Sequence, residues 1–397
     1  MTKTEMIAEK YNKYVMATYG RDGIAFVKGK GIKLWDAEGR EYLDFFPGWA
    51  VSGIGHCHPK VVAAVRKQAG ILIHVSNNYY NELQADLAEK IISHAFPGKV
   101  FFANSGAEAN ECAIKLARKY GSQTKRYEII TMEKSFHGRT MATITATGQD
   151  KVKHGFEPLL EGFKTVPYND LNAVKNALTD KTIAVMLEPI QGEGGINMAD
   201  KSYLEGLKKL CSEKDMLLIF DEVQTGMGRT GEMFCFKNYG IQPDIMTLAK
   251  SLGGGVPIGA TVASARIQDT LTAGTHASTF GGSPIVCAAA LATFQAIEED
   301  GLLENAKNMG AYLKKKLEAL KKEFSFIKEI RGAALMLGVE LSVDGKKIFN
   351  ECIKRGLMIN CTQGNILRIV PPLTVRKSDI NKAVKILKES LATIQGQ

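Results

Sequence analysis

Residues 217–231 read LLIFDEVQTGMGRTG, and residues 243–260 read PDIMTLAKSLGGGVPIGA. Each stretch contains an apolar run of strand length. The first run leads directly into Asp221 and Glu222, and the second leads into Lys250 followed by glycines. An ammonium group at the end of a buried strand loses hydration, which lowers its pKa and lets the neutral amine attack a carbonyl carbon. Lys250 is therefore the first candidate for a Schiff-base nucleophile.

Between about residues 50 and 285, apolar strand-like runs alternate with amphipathic helical segments. The runs are VFFA (100–103), YEIIT (127–131), TIAVMLEP (182–189), MLLIFDE (216–222), IMTLA (245–249) and IGATVA (258–263). This alternation predicts an α/β fold with a mainly parallel sheet covered by helices, and ligands at the carboxyl ends of its strands.

The two ends of the chain have a different pattern. Residues 1 to about 45 predict a helix followed by a short strand meander. One long helical stretch is expected from about 285 to 324, followed by short strands mixed with helices. A last helix, opened by Ser378, carries an apolar face at Ile380, Ala383, Val384, Leu387 and Leu391. These features predict a smaller α+β unit.

The composition excludes several classes of protein. The net charge is +9, but the basic residues are interleaved with glutamates in helical segments such as LKKKLEALKKEF, which is typical of solvated helix faces rather than of a nucleic-acid surface. The seven cysteines form no CxxC pair, and we find no apolar signal region or membrane-length run. We therefore expect a cytoplasmic protein without membrane or nucleic-acid partners. His56-Cys57-His58 lacks further ligands nearby, so we expect a turn and no metal site.

Residues 100–121 predict a strand that leads into a helix. Ser105 and Glu108 have the spacing of a capping box, and Gly121 ends the apolar periodicity. The free amides and positive dipole end of such a helix suit a phosphate, although an ordinary capped helix has the same pattern.

Other motifs leave alternatives open when each is taken alone. Asp221 and Glu222 could be an acid/base pair, a metal site or a solvated strand end, and a carboxylate could also keep a pyridine nitrogen protonated. The GxGxxG pattern at 226–231 is not followed by a helix pattern, so we interpret it as a glycine-bounded loop. Arg139 is either a surface cation or a ligand for a substrate carboxylate.

Taken together and in order, these motifs resemble those of class III pyridoxal-phosphate aminotransferases of fold type I. The branch containing acetylornithine and ornithine aminotransferases is the most similar. The resemblance is carried by GHCHPKV, NSGAEANECAIKLAR, FHGRT, EPIQGEGG, FDEVQTGMGRTG, the Lys250 segment, THASTFGGSP and LRIVPPLT. It implies a large domain (49–285) around a seven-stranded sheet. An N-terminal segment (1–48) and a C-terminal part (286–397) would form the small domain.

The resemblance also implies a role for individual residues. Lys250 and Asp221 would be catalytic, binding the aldehyde and the ring nitrogen of pyridoxal 5'-phosphate. Further cofactor contacts would come from Ser105, Gly106, Ala107, Phe136, Gln224 and Thr279. The implied substrate-binding residues are Tyr19, Trp49, Arg139, Glu193, Ser278 and Arg368. Thr279 would reach the cofactor phosphate of a neighbouring subunit, so we expect a homodimer with composite sites.

The implied reaction is a ping-pong transfer of the terminal amino group of N-acetylornithine to 2-oxoglutarate, a step of arginine biosynthesis. Arg139 would bind the donor α-carboxylate. Glu193 would pair with Arg368 while the donor is bound and release it for the acceptor. Ornithine, 4-aminobutyrate and succinyl-diaminopimelate remain alternative donors. An aminomutase, a pyridoxal-phosphate decarboxylase and a basic nucleic-acid-binding protein remain alternatives of other classes.

Overall fold

The computed structural model describes residues 1–395, in which the chain forms twelve α-helices and seventeen strands. The helices are α1 (Lys3–Tyr14), α2 (Pro59–Ala69), α3 (Glu82–His94), α4 (Gly106–Tyr120), α5 (Met141–Ala146), α6 (Leu171–Ala177), α7 (Lys201–Glu213), α8 (Phe236–Tyr239), α9 (Pro284–Glu299), α10 (Leu302–Glu323), α11 (Gly345–Lys354) and α12 (Lys377–Gln395). The strands are β1 (Phe26–Lys30), β2 (Lys33–Asp36), β3 (Glu41–Asp44), β4 (Gly98–Ala103), β5 (Glu128–Met132), β6 (Phe163–Val166), β7 (Thr182–Leu187), β8 (Ile190–Gln191), β9 (Asn197–Met198), β10 (Leu217–Asp221), β11 (Ile245–Leu248), β12 (Gly259–Ser264), β13 (Ile327–Ala333), β14 (Met336–Leu341), β15 (Leu357–Met358), β16 (Asn360–Thr362) and β17 (Ile366–Ile369).

A seven-stranded sheet in the order β4-β12-β11-β10-β7-β5-β6 forms the centre of the molecule. Only β12 runs against its neighbours, and the other adjacent pairs are parallel. The α/β fold with a mainly parallel sheet is therefore confirmed. All residues of β7, β10, β11 and β12 are buried, as expected for strands covered by helices on both faces.

The neighbouring strands β10 and β11 position the two chemical groups that the sequence singles out. Asp221, the last residue of β10, pairs in register with Thr247 of β11, and Lys250 follows β11 after one intervening residue. Because parallel neighbours end at the same edge of a sheet, the carboxylate and the amine are brought to one place.

Two four-stranded sheets and the two-stranded sheet β8-β9 accompany the central one. The expected N-terminal meander is confirmed as β1-β2-β3, and β3 also pairs in parallel with β15 near the C-terminus. A second four-stranded sheet has the order β13-β14-β17-β16, and we call it the C-terminal sheet. The pairing of β3 with β15 joins the two ends of the chain, while the domain boundaries at residues 48 and 285 stay a prediction.

Two features of the C-terminal part test the helix predictions. The prediction of a single helical stretch over 285–324 is wrong. Helix α9 ends at Glu299 and α10 begins at Leu302, with Gly301 between them at a φ of 63°. This left-handed conformation interrupts a continuous helix, and glycine adopts it without strain. The last helix is confirmed, with Ile380, Leu387 and Leu391 buried. Among residues 1–395, no helix has both the length and the apolar character needed to cross a membrane.

Candidate active site

A cavity of about 440 Å³ opens at the carboxyl ends of β10 and β11. Nine of the residues singled out in the sequence line it: Ser105, Gly106, Ala107, Phe136, Arg139, Glu193, Asp221, Gln224 and Lys250. These residues come from loops and helix ends spread over 146 positions of the chain, from 105 to 250. The fold therefore brings residues that are remote in sequence into one site.

Asp221 is buried, lines the cavity and has hydrogen-bond partners at both carboxylate oxygens. Its Oδ2 atom lies 2.8 Å from His137 Nδ1 and accepts a hydrogen bond of 2.8 Å from Asn110 Nδ2, while Oδ1 accepts one of 3.0 Å from the Val223 amide. Asn110 is fixed in turn by Thr247, whose hydroxyl donates to Asn110 Oδ1 at 2.7 Å. Such donors compensate for the lost hydration of a buried carboxylate, so this network holds Asp221 in place.

Glu222 is directed away from this cavity, although it directly follows Asp221. Its carboxylate accepts hydrogen bonds from the amides of Cys235 and Phe236, the latter at 2.7 Å. Burial raises the pKa of Glu222 to about 7, and the two amide donors act in the opposite direction. Of the alternatives open for this pair, an acid/base dyad does not match this geometry, because Glu222 instead closes the 222–236 loop.

Lys250 lines the cavity, is half-buried and has a backbone φ of 45°. Burial lowers the pKa of its amine, and Arg368 acts in the same direction, while Glu193, Glu188 and Asp221 oppose it. A lowered pKa increases the neutral fraction of the amine, which is the form that attacks a carbonyl carbon. The left-handed backbone of a lysine is strained, and such strain often occurs at functional sites.

The N-terminus of α4 forms one wall of the cavity. Ser105 Oγ accepts a hydrogen bond of 3.2 Å from the Glu108 amide, so the expected cap at Ser105 is present. The prediction of a complete capping box is wrong, because the Glu108 side chain does not accept from the Ser105 amide. It accepts instead from the backbone and side-chain nitrogens of Asn104, at 2.7 and 2.8 Å. A Cβ at Gly106 would lie 2.8 Å from Val223 Cγ1, so a larger residue would not fit there. The first-turn amides of α4 have no carbonyl partner within the helix and suit an anion.

Glu193 and Arg368 form an ion pair at a second side of the cavity. Arg368 Nη1 lies 2.6 Å from Glu193 Oε1, and Nε donates to Asn360 Oδ1 at 2.7 Å. The Arg368 side chain is 0% exposed, and its Nη2 atom has no hydrogen-bond partner in the structure. The rings of Phe46 and Trp49 lie 4.7 and 5.5 Å from the guanidinium carbon. Arg368 is therefore held tightly, with one nitrogen left to donate.

Besides Arg368, four other predicted site residues do not line the cavity. Ser278 and Thr279 lie on the far side of Asn104, where Ser278 Oγ accepts from Asn104 Nδ2 at 3.2 Å and Thr279 is exposed. Tyr19 is 73% exposed, and Trp49, which contacts Arg368, is 51% exposed. Their expected functional roles stay predictions.

The cavity lining also includes residues that were not singled out from the sequence, among them Asn110, His137 and Glu188. Glu188 accepts hydrogen bonds from the amides of Phe136 and Gly192, at 3.0 and 2.9 Å. Burial and the nearby Asp221 raise the pKa of Glu188. A sequence signal existed for Asn110 and Glu188, because one is a polar residue among the apolar positions of α4 and the other directly follows an apolar strand.

Comparisons with known proteins agree with this geometry. Residues 15–391 match the family Aminotransferase class-III. The chain belongs to this family. It is 52% identical to an acetylornithine aminotransferase from Caldanaerobacter subterraneus subsp. tengcongensis, over 96% of this chain and 98% of that protein. It is 50% identical to one from Methanocaldococcus jannaschii, over 96% of this chain and 97% of that protein. The crystal structure of an ornithine aminotransferase from Toxoplasma gondii superposes with a TM-score of 0.95, at 32% identity, covering 100% of this chain and 96% of that chain.

Class III aminotransferases depend on pyridoxal phosphate, and the cavity of this transaminase fits that group. Gln224 Oε1 is buried without a hydrogen-bond partner, as expected for a group that faces a polar ligand atom. The α4 N-terminus suits a phosphate, Asp221 suits a ring N–H, and the buried Lys250 amine suits an aldehyde. The residues present therefore match the phosphate, the ring and the aldehyde of the cofactor.

The lowered pKa of Lys250 predicts a pH-dependent cost of burying its amine. In the cofactor-free enzyme, we expect Lys250→Met to raise the midpoint of thermal unfolding at neutral pH, since methionine keeps the apolar stem and removes the amine. The unfolded chain binds a proton at this lysine more readily than the folded chain does, so the wild type gains stability as pH rises towards the ordinary lysine value of about 10.4. The gap between variant and wild type should therefore shrink over that pH range.

Lys209→Met is the matched control, because Lys209 lies on the exposed face of α7 with its side chain 78% exposed. The difference in thermal unfolding midpoint between Lys209→Met and the wild type should not shrink as pH rises. If the difference in thermal midpoint between Lys250→Met and wild type is absent at neutral pH, or grows as pH rises, the lowered pKa of the Lys250 amine is contradicted.

Proposed function

We propose that this aminotransferase moves the terminal amino group of N-acetylornithine to 2-oxoglutarate in a ping-pong cycle, as a step of arginine biosynthesis. The identities of 52%, 50% and 48% to acetylornithine aminotransferases over nearly the whole chain support this donor. Solved ornithine and acetylornithine aminotransferases are about equally similar to this chain, at 32% and 31% identity, so they do not discriminate between the two donors. The fold is therefore common to both groups, and the curated sequence relatives favour the acetylated donor.

The observation that carries the proposal is the Glu193–Arg368 pair beside Lys250. A fully buried guanidinium with a free N–H suits a carboxylate, which it can bind through two parallel hydrogen bonds. Glu193 contacts the guanidinium through Nη1 alone and balances its charge. Such a site accepts a carboxylate only after Glu193 moves, and it avoids an unpaired buried cation when the substrate has no carboxylate to offer there.

A second arginine, Arg139, lies at the exposed rim of the same cavity, 5.5 Å from the ring of Phe136. In the donor half-reaction, we assign the α-carboxylate of N-acetylornithine to Arg139, which leaves the far-end amine near Lys250. In the acceptor half-reaction, Arg139 takes the distal carboxylate of 2-oxoglutarate and Arg368 takes the carboxylate beside the keto group. Two arginines can therefore serve two substrates of different shape.

When bound, pyridoxal phosphate supplies an aldehyde that condenses with amines and a protonated ring that accepts the electron pair of a developing carbanion. Asp221 Oδ atoms, held by His137 and Asn110, would keep the ring nitrogen protonated. Lys250 Nζ would hold the aldehyde and, once released by the amine of the substrate, would take up the proton from the carbon bearing that amine and serve as the group that returns it. Phe136 lines the cavity, and its ring would help to exclude water from the reacting groups.

The cellular setting is part of the same proposal. All seven cysteines are free, which matches a reducing cytoplasm. An aminomutase or a decarboxylase would not need a second oxo acid, so the Glu193–Arg368 arrangement favours a transaminase over both.

A donor panel tests the proposed substrate. With 2-oxoglutarate as acceptor, we expect kcat/KM for N-acetylornithine to exceed the values for ornithine, 4-aminobutyrate and succinyl-diaminopimelate by about tenfold or more, since about 1.4 kcal/mol of differential transition-state binding gives that factor. No product should form when the acceptor is omitted. A higher kcat/KM for another donor would reassign the substrate, and turnover without an acceptor would indicate an isomerase or lyase.

We also propose that the active unit is a homodimer. The segment 71–80 exposes Ile71, Leu72, Ile73, Tyr79 and Tyr80, and Phe280 is exposed nearby. Asn77 Nδ2 donates to the carbonyls of Ser278 and Gly281, at 2.9 and 3.0 Å, which joins this segment to the loop that carries Thr279. A contiguous apolar surface of this kind is typical of a protein interface. A second copy seated on it would cover the apolar side chains and could bring the exposed Thr279 to the partner's cofactor phosphate.

Cofactor affinity and molecular mass test the composite site. We expect sedimentation to give the mass of two chains, and Thr279→Ala to raise the dissociation constant for pyridoxal phosphate by about tenfold, the typical effect of losing one hydrogen bond to a charged group. Thr272→Ala, an exposed position in the same loop, should leave it unchanged. A single-chain mass, or an unaltered constant in Thr279→Ala, would count against a shared site.

A further inference from the structure

The loop 192–195, which carries Glu193, is bound through its main chain by side chains of the C-terminal sheet. We propose that Thr362, Gln363 and Arg331 are positioning residues that hold Glu193 against Arg368 and thereby set how readily the site exchanges donor for acceptor. This inference rests on the proposed function, because it concerns the same two carboxylate sites.

Two of the contacts are made to Glu193 itself. Its carbonyl oxygen accepts hydrogen bonds from Thr362 Oγ1 at 2.8 Å and from Gln363 Nε2 at 2.9 Å. Thr362 is the last residue of β16, which pairs with β17, the strand of Arg368. The main chain of the glutamate and the side chain of its arginine partner are therefore fixed to neighbouring strands of one sheet.

The third contact holds the other end of the loop. The Gly195 carbonyl accepts hydrogen bonds of 3.0 and 2.8 Å from Arg331 Nε and Nη2, and Arg331 also pairs with Glu329 and Glu340. Gly195 has a φ of 111°, and a Cβ there would collide with Ile366. The loop thus lies directly against the C-terminal sheet at a position that requires glycine.

The opposite side of the loop is bound to the cofactor side of the cavity. The Gly192 amide donates to Glu188 Oε2 at 2.9 Å, and a Cβ at Gly192 would collide with the Gln224 amide. With its main chain held on both sides, the loop leaves side-chain rotation as the way for Glu193 to leave Arg368. The Glu193 side chain is 19% exposed, whereas Arg368 is fully buried, so Glu193 is the partner with room to move.

We call the hydrogen bonds that Thr362, Gln363 and Arg331 donate to the loop 192–195 the clamp. The clamp has a direct consequence for the two half-reactions. A fixed main chain confines the Glu193 carboxylate near Arg368 and strengthens their pairing, since less conformational entropy is lost when the pair forms. A stronger Glu193–Arg368 pair favours a donor that does not bind Arg368. The same pair competes with the acceptor, because Glu193 then holds the guanidinium that the acceptor carboxylate needs. Loosening the clamp should therefore favour the acceptor half-reaction relative to the donor half-reaction.

Single-turnover kinetics of the holoenzyme test this inference. We would compare wild type with Thr362→Val and with the double variant Thr362→Val, Gln363→Gly. Glycine suits position 363 because its φ is 53°. The readout is the ratio of second-order rate constants, 2-oxoglutarate half-reaction over donor half-reaction. We expect this ratio to rise by about tenfold in the double variant, as two lost hydrogen bonds of ordinary strength imply.

A Glu193→Gln background separates positioning from a general structural effect. If the clamp acts through the Glu193 carboxylate, the same two substitutions should leave the ratio unchanged in that background. Asn365→Ala is the matched control, because Asn365 donates a side-chain hydrogen bond of 2.8 Å to Leu341 within the same sheet, without a hydrogen bond to the loop. Its ratio should equal that of the wild type.

Each outcome bears on the proposal. A ratio that rises in the wild-type background alone supports it. An unchanged ratio, an equal rise in both backgrounds, or a parallel loss of both half-reactions with a lower thermal midpoint overturns it. If N-acetylornithine is not a donor for the wild type, the proposed substrate fails instead, and the ratio is then measured with the donor that the panel selects.

Discussion

The site depends on one constraint, which is that β10 and β11 are adjacent, parallel and buried. Their carboxyl ends place the Asp221 carboxylate and the Lys250 amine at the same edge of the sheet. Neither group is stable there as an isolated charge. Asp221 is compensated by His137, Asn110 and the Val223 amide, whereas the amine of Lys250 has a lowered pKa. The same edge of the sheet thus carries a carboxylate held by hydrogen-bond donors and an amine whose pKa is lowered by burial.

The second element of the site is the buried Arg368. It lies in the C-terminal sheet, while the residues that surround the cofactor position belong to the central sheet and its helices. Glu193 connects the two regions, because its loop contacts Glu188 and Gln224 on one side and Thr362, Gln363 and Arg331 on the other. The geometry of the Glu193–Arg368 pair therefore depends on how the two regions are held together.

Much of this architecture could be predicted from the sequence, because strand length, apolar character and helix spacing are local properties. The buried strands β7, β10, β11 and β12 were all visible as apolar runs. The edge strand β6 is not, since two of its four residues, FKTV, are half-buried, one is exposed, and they lack a continuous apolar pattern. The break between α9 and α10 was also missed, because it depends on the backbone conformation of Gly301.

The sequence predicted most of the candidate site residues but not the contacts between them. Its cavity residues followed from motifs taken together, but the hydrogen bonds of Asn110 and His137 to Asp221 join positions 111 and 84 residues apart, which no local pattern specifies. Contacts between side chains and main-chain carbonyls, such as those of Thr362 and Gln363 with Glu193, leave no sequence signature at all. These long-range contacts required the three-dimensional structure.

The central claim is that the buried amine of Lys250 is the group that binds the cofactor aldehyde. Borohydride reduction of the purified holoenzyme, followed by proteolysis and mass spectrometry, tests it most directly. The account predicts a single pyridoxyl-phosphate adduct on the peptide that contains Lys250. An adduct on a different lysine, or none on that peptide in enzyme that retains the cofactor, would contradict it.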